Sequence, residues 1–246
     1  MSQRLDTYLV ANGMVASREK ARLAIDKGLV AVNGKPALKA SQQVGEADTV
    51  TMQAPPLRYV GRGGLKLEKA IHSFQLDFQD KTVLDIGAST GGFTDCALQH
   101  GARHVTAVDV GAGQLDPSLL ADSRVLSLEK TDIRELPPTT LPYGPVDWVV
   151  IDVSFISLCH IFPCLPPLMA PDGQVIALIK PQFELDERIK LKKGIVKDEA
   201  IRLQVLEKIK LCAKKQGFIL KTHIPTDADG QLKNVEYLGW FVGSGL

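Results

Sequence analysis

The stretch Val83-Leu-Asp-Ile-Gly-Ala-Ser-Thr-Gly-Gly-Phe-Thr94 decides the fold. It reads as a short buried strand, Thr82–Ile86, that breaks at Gly87 and turns at once into a helix over 93–100. Gly87, Gly91 and Gly92 carry no Cβ, so a flat or charged small molecule can approach the bare main chain. The helix that follows offers unpaired N–H groups and the positive end of its dipole. An α/β chain holds a nucleotide-like cofactor in this way.

From about Lys81 onward, strand and helix patterns alternate. Further strands are expected at His104–Val108, Val125–Leu128, 146–152, 173–180, 218–223 and 236–242. A helix interrupted by Pro163 and Pro166 is expected over 156–169, and a well-patterned one over 198–216. The run 146–152 is nearly all apolar, as a strand buried on both faces must be. Such alternation predicts the α/β class, with a doubly wound, mainly parallel sheet.

Composition changes at Gln53-Ala-Pro-Pro-Leu57, where two prolines stiffen the chain. The expected division is a module over 1–54, a linker over 55–61 and a large domain over 62–246. In the module, Leu5, Tyr8 and Leu9 recur at helical spacing up to Gly13, and Ser17 is a fit N-cap for a second helix that Gly28 closes. Leu29-Val-Ala-Val-Asn33-Gly34-Lys35 reads as a strand entering an Asn-Gly hairpin, and Val44, Val50 and Met52 mark further short strands. So small an α+β module cannot build a deep core. Arg4, Arg18, Lys20, Arg22, Lys27, Lys35 and Lys39 modestly outnumber its acids. Arg18 and Arg22 are i,i+4 neighbours, which fits either a basic face laid on phosphates or a solvated helix face.

The whole chain of 246 residues is 45% hydrophobic and 23% charged, an ordinary globular composition. Its net charge of +1 excludes a global field that draws nucleic acid, so such a partner needs a local patch. No apolar run reaches the roughly 18 residues that cross a bilayer. The first residues lack the apolar core of a secretory signal, and a cytoplasmic protein with no membrane partner is expected. Nothing in the sequence fixes an oligomeric state. Cys96, Cys159, Cys164 and Cys212 stand apart without a CxxC pair and read as reduced, mostly buried thiols. Cys159, His160 and Cys164 do not converge on an ion, so no metal site is expected.

In an open parallel sheet the ligand sits beyond the carboxyl ends of the strands. Asp85, Asp109, Asp132 and Asp152 fall at or near such ends. Asp109 follows Gly87 by 22 residues, the distance at which an acid reaches a ribose diol; Val110 stands beside it. A nicotinamide dinucleotide wants G-x-G-x-x-G, whereas position 89 is Ser. A pyrophosphate would also meet the charge of Asp85. S-adenosylmethionine has no phosphate, and its amino group and sulfonium favour a nearby carboxylate. The corner therefore reads as a site for S-adenosylmethionine formed by Asp85, Gly87, Ala88, Ser89, Thr90, Gly91, Gly92, Phe93 and Thr94, with Asp132 and Ile133 toward the adenine.

Asp152-Val-Ser-Phe155 does not match the (D/N)PP(Y/F) turn that grips an amine, and Pro163-Cys164 lies too late for a thiolate nucleophile. A hydroxyl acceptor needs a group that orients it and handles its proton. Lys180 ends an apolar strand, where desolvation and a nearby sulfonium both favour the uncharged amine. Asp152 ends a neighbouring strand and can orient it.

Two resemblances sharpen this reading. Arg4-Leu-Asp, Gly13, Ser17-Arg18, Ala21, Gly28 and Val32-Asn33-Gly34-Lys35 resemble the small RNA-binding domain named after a small-subunit ribosomal protein, the S-four domain. That implies RNA contacts by Arg4, Arg18, Lys20 and Arg22. Gly63-Gly64-Leu-Lys66-Leu, Gly87–Thr94, Asp109-Val-Gly-Ala-Gly-Gln-Leu115, Asp152-Val-Ser-Phe-Ile-Ser157, Lys180-Pro-Gln-Phe-Glu184 and Asn234-Val-Glu-Tyr237 resemble the TlyA family across nearly the whole chain. Members of that family, often labelled haemolysins, join an S-four domain to a Rossmann-like FtsJ-like methyltransferase. The resemblance implies methylation of a cytidine ribose 2′-hydroxyl in ribosomal RNA or ribosomal subunits. It also implies a Lys-Asp-Lys-Glu tetrad at Lys66, Asp152, Lys180 and Glu236, with Lys180 on the hydroxyl proton. Lys66 reads alternatively as a phosphate contact, beside Arg58 and Arg62. Arg188, Lys190, Lys192, Lys193 and Lys197 read as an RNA-contacting loop or a solvated one. The rival functions are a non-catalytic RNA or ribosome-assembly factor, which the intact tetrad disfavours, and a membrane-lytic haemolysin, for which inserting segments are lacking.

Overall fold

The computed structural model describes residues 2–52, 58–185, 194–226 and 234–244. Residues 53–57, which include the first part of the expected 55–61 linker, and the basic residues Arg188, Lys190, Lys192 and Lys193 lie outside these. The chain divides into two compact units, Met1–Arg58 and Tyr59–Leu246.

The first unit runs β1 (Gln3–Arg4), α1 (Leu5–Ala11), α2 (Arg18–Asp26), β2 (Val30–Val32), β3 (Lys35–Pro36), β4 (Gln43–Val44) and β5 (Val50–Met52). The Ser17 hydroxyl accepts from the Lys20 amide at 3.3 Å and starts α2. Asn33 and Gly34 both take positive φ, at 51° and 75°, and close the tight hairpin that pairs Val32 with Lys35. Leu5, Leu9, Ala21, Ala24, Ile25 and Val30 form a small core of their own.

The second unit runs α3 (Gly63–Phe74), β6 (Thr82–Ile86), α4 (Gly92–Gln99), β7 (His104–Val108), α5 (Pro117–Leu120), β8 (Val125–Leu128), β9 (Val146–Ile151), β10 (Met169–Ile179), α6 (Pro181–Glu184), α7 (Glu199–Lys215), β11 (Phe218–Pro225) and β12 (Tyr237–Gly243). Seven strands form one sheet in the order β11-β12-β10-β9-β6-β7-β8. Strands β8, β7, β6, β9 and β10 are parallel, and β12 runs antiparallel to both its neighbours. The chain starts at β6, winds outward through β7 and β8, then returns to β9 on the other side. The switch point lies between β6 and β9, where such sheets bind ligands.

Alternation along β6 assigns its two faces. Leu84 and Ile86 pack with Ile161, Phe162, Val205 and Ile209 under α7. Val83 packs with Leu67, Ala70, Phe93 and Ala97 under α3 and α4. Asp85 has the same parity as Val83 and so points a carboxyl into that second apolar layer.

Two expectations are corrected. The segment 156–169 is not an interrupted helix but three 3-10 turns, Leu158–His160, Phe162–Cys164 and Pro166–Leu168. Pro163, Pro166 and Pro167 lack the N–H that each further turn of helix requires. The cysteines are not all free thiols either: Cys159 and Cys212 form a disulfide, while Cys96 and Cys164 are free. The fold packs α7 on the turn after β9, and a separation of 53 residues gives no sign of that.

At the switch point Gly87 has φ +82°, and a Cβ there would lie 2.5 Å from the carbonyl oxygen of Asp152. The obstacle is backbone, which cannot swing aside. Gly87→Ala is expected to cost about 2 kcal/mol or more, from the φ penalty and the displaced strand end. Urea denaturation should show a lower midpoint at unchanged slope; an unchanged midpoint would refute the close approach.

Candidate active site

The carboxyl ends of β6, β9 and β10 meet the amino ends of α3 and α4 around a cleft of about 230 Å³, lined by Gly63, Gly87, Ala88, Ser89, Thr90, Gly92, Phe93, Asp152, Ser154 and Lys180. A larger cleft of about 320 Å³ lies at the opposite, amino ends of the strands, lined by residues such as Lys81, Asp147 and Trp240. It lacks the glycine corner and the Lys180–Asp152 pair, so the smaller cleft is the candidate.

Backbone close approach builds the corner. A Cβ on Gly92 would sit 2.9 Å from the Gly64 amide nitrogen, so α3 and α4 touch main chain to main chain. Gly91 holds φ +91°, with Leu119 Cδ1 2.2 Å from where its Cβ would be. Asp109 ties the corner to the end of β7: its Oδ2 accepts from the Ser89 amide and its Oδ1 from the Gly111 amide, both at 2.7 Å.

The remaining cofactor candidates fall in three places. Asp85 is fully buried beneath the corner, and its Oδ2 accepts from the Thr94 hydroxyl at 2.6 Å. Burial, partly offset by that bond and reinforced by the charge of Asp152, pushes its carboxyl up to about 7. Asp109 and Val110 stand at the end of β7 outside the cleft lining, with Val110 exposed. Asp132 also lies outside it, capping a 3-10 turn and paired with Arg134 at 2.5 Å, which pulls its carboxyl down to about 2. Ile133 is a core residue.

The tetrad residues form two ion pairs at this end of the sheet. Lys180 Nζ lies 2.6 Å from Asp152 Oδ1 and donates to Ser154 Oγ at 2.9 Å. The Asp152 contact is an ion pair by distance, off the hydrogen-bond direction. Lys66 Nζ donates to Glu236 Oε2 at 2.7 Å, and Gln182 donates to Glu236 Oε1 at 3.2 Å. Gly63, at the start of α3, lies within 3.8 Å of Asp152 Oδ2 measured from its would-be Cβ, so Lys66 follows one turn from that carboxylate.

Sequence reasoning gave Ser154, Gln182 and Glu184 no role. Glu184 is buried; it accepts from Ser157 Oγ at 2.5 Å and the Leu158 amide at 2.9 Å, and desolvation pushes its carboxyl up. It stitches the loop after β10 to the loop after β9. All three lie within motif runs that carried the resemblance, which was the available signal.

The RNA candidates are placed separately. In the first unit Arg4, Arg18 and Arg22 converge on Asp6, at 3.0, 2.9 and 3.7 Å. The carboxylate is fully covered by these groups, while their side chains stay 42%, 53% and 57% exposed. Hydrogen bonds from Arg4 first, then Arg18, hold the Asp6 carboxyl well below the usual range. Lys20 is half-buried on α2. Arg62, in the second unit, is exposed just before α3.

The fit to a cofactor follows from these charges. A dinucleotide phosphate would meet the Asp152 carboxylate and find Lys180 already paired. The sulfonium and ammonium of S-adenosylmethionine suit that carboxylate.

Asp85 sets a pH dependence. Its folded pKa is raised above the unfolded value, so the folded state holds the proton longer and stability falls as pH rises from about 4 through 7. The full effect is on the order of 4 kcal/mol. Asp85→Asn cannot ionise. Its melting temperature relative to the unmutated protein should therefore climb between pH 5 and pH 8, whatever fixed offset the buried amide adds. A pH-independent difference would contradict the buried, protonated acid.

Comparison with known proteins identifies the family. Residues 59–242 match the FtsJ-like methyltransferase family and residues 3–50 the S4 domain. YqxC of Bacillus subtilis, provisionally named an rRNA methyltransferase, is 43% identical over 97% of this chain and 86% of its own length. The 16S/23S rRNA (cytidine-2′-O)-methyltransferase TlyA of Mycobacterium tuberculosis is 38% identical over 96% of this chain and 88% of its own. A solved structure from Streptococcus thermophilus, provisionally named a hemolysin, superposes with TM-score 0.75 at 39% identity, covering 99% of this chain and 89% of that one. Among the described residues no helix is long and apolar enough to cross a membrane. The chain belongs to the TlyA family of FtsJ-like methyltransferases, in which an S4 domain precedes the methyltransferase domain.

Proposed function

We propose that this chain methylates the ribose 2′-hydroxyl of a cytidine in ribosomal RNA, using S-adenosylmethionine. The observation that carries the reading is Lys180, a buried amine at the cofactor corner held between Asp152 and Ser154. The bound cofactor supplies an electrophilic methyl group on a sulfonium. The glycine corner at Gly87, Gly91 and Gly92 brings backbone up to it, with Asp85 and Asp109 bracing the turn from below and behind. Lys180 orients the ribose hydroxyl and handles its proton. Asp152 and Ser154 fix the direction of Nζ. The Lys66–Glu236 pair adds a second oriented amine, whose charge favours the oxyanion that develops on the attacking oxygen.

Two surfaces support an RNA substrate. Phe155 has φ +65°, is 90% exposed and packs on Phe183 with centroids 4.9 Å apart, which leaves an aromatic face for a nucleobase near Lys180. The Arg4, Arg18 and Arg22 cluster presents guanidinium groups that Asp6 orients and phosphates can pair with.

Lys180→Ala should reduce ribose methylation of ribosomal RNA by at least about a hundredfold, with cofactor affinity largely kept. Mapping 2′-O-methyl sites on RNA incubated with each protein reads this out, and retained methylation would remove Lys180 from its role. Arg18→Ala and Arg22→Ala should each weaken RNA binding across sequences and lower the salt slope by about one unit. An unchanged slope would place the phosphates elsewhere.

A further inference from the structure

Away from the cleft, α3 and α4 bring together three metal-ligating side chains that the methyl-transfer reading does not use. Glu68 and His72 are i,i+4 neighbours on α3, and His100 caps the carboxyl end of α4. Their ligand atoms all lie within 4.8 Å of one another. We propose that Glu68, His72 and His100 form a zinc-class divalent metal site that clips α3 to α4.

Three features support a built site. His100 Nδ1 lies 2.8 Å from the Cys96 carbonyl oxygen. A carbonyl only accepts, so Nδ1 carries the proton and Nε2 is left as the ligand, the arrangement that orients metal-binding histidines elsewhere. The Tyr59 hydroxyl donates to Glu68 Oε1 at 2.9 Å and steadies the carboxylate. His72 meets the His100 ring edge-on, with centroids 6.0 Å apart, and lies exposed, so it can swing without disturbing the core.

The donor set selects the ion. Two imidazoles and one carboxylate suit zinc and its borderline neighbours, whereas magnesium and calcium prefer oxygen alone. Tetrahedral zinc with ligands at about 2.0–2.2 Å needs donor atoms roughly 3.3 Å apart. The cluster must contract by about 1.5 Å, within reach of one histidine rotamer change. Water takes the fourth position. Glu68 follows Lys66 by two residues, which turns it about 200° around the helix, away from the tetrad. The ion therefore holds α3, the helix that supplies Gly63 to the cleft and carries Lys66, rather than touching substrate. The site is independent of Cys159, which the disulfide removes as a ligand.

The test uses the full-length protein stripped of metal with a chelator. Zinc should bind at one ion per chain and raise the melting temperature by about 5 °C at about a hundredfold excess over its dissociation constant. Cobalt in its place should give the visible absorption of a tetrahedral nitrogen–oxygen site. His72→Ala and His100→Ala should each weaken zinc at least tenfold and abolish the cobalt bands, with metal-free melting temperatures close to that of the unmutated protein. His72→Gln guards against a helix-packing effect and should behave as His72→Ala does. Cys164→Ser should leave both signals intact. No binding to the unmutated protein, binding that survives both alanine variants, or loss on Cys164→Ser would each overturn the proposal.

Discussion

Between Gly87 Cα and the carbonyl of Asp152 there is room for a hydrogen atom and nothing larger. The Asp152 amide also donates to Ile86 O at 3.0 Å, so the ends of β6 and β9 are locked together by main chain alone. That contact fixes two things at once. It shapes the glycine corner proposed for the cofactor, and it sets where the Asp152 side chain begins. Lys180 pairs with Asp152, and the amino end of α3 packs on the same carboxylate. The binding corner and the oriented amine are therefore one construction.

Charge pairing explains why polar groups survive at this depth. Burying an isolated amine or carboxylate is costly, and a pair recovers little net stability unless its remaining hydrogen bonds are met. Lys180 has Ser154 and Asp152; Glu236 has Lys66 and Gln182. What these pairs contribute is direction more than stability. Asp85 is the exception, since its partner is a neutral hydroxyl and the charges of Asp152 and Asp109 press on it. A corner whose lining amine is already paired with the Asp152 carboxylate offers a phosphate little, and so favours a cationic ligand.

Much of this was legible in the sequence, for identifiable reasons. A strand buried on both faces is largely apolar, as β9 is apart from Asp147, and the glycines mark where backbone approaches backbone. The reversed direction of β12 leaves no trace in composition, because an antiparallel strand covered on both faces looks like a parallel one. Helix α3 was hidden by its opening Gly63-Gly64, residues that disfavour helix yet are the ones that fit against Gly92 and Tyr59. The prolines of 156–169 show in the sequence as breaks in a helix, whereas in the fold they reduce the segment to single turns. Glu236 has no local signal at all. Only its place in a motif pointed to it, since its meaning comes from Lys66, 170 residues away in sequence.

The near-zero net charge of the chain conceals how a basic surface is made. Asp6 gathers three guanidinium groups around one carboxylate, a local excess of two positive charges. Scattered surface lysines would each surrender rotamer freedom on meeting a phosphate. Guanidiniums already held by a buried acid have surrendered much of it during folding, so less is lost on binding. An acidic residue at the centre of a basic patch therefore strengthens that patch. Its removal would leave as many arginines with less order among them, and a count of charges along the sequence cannot register that difference.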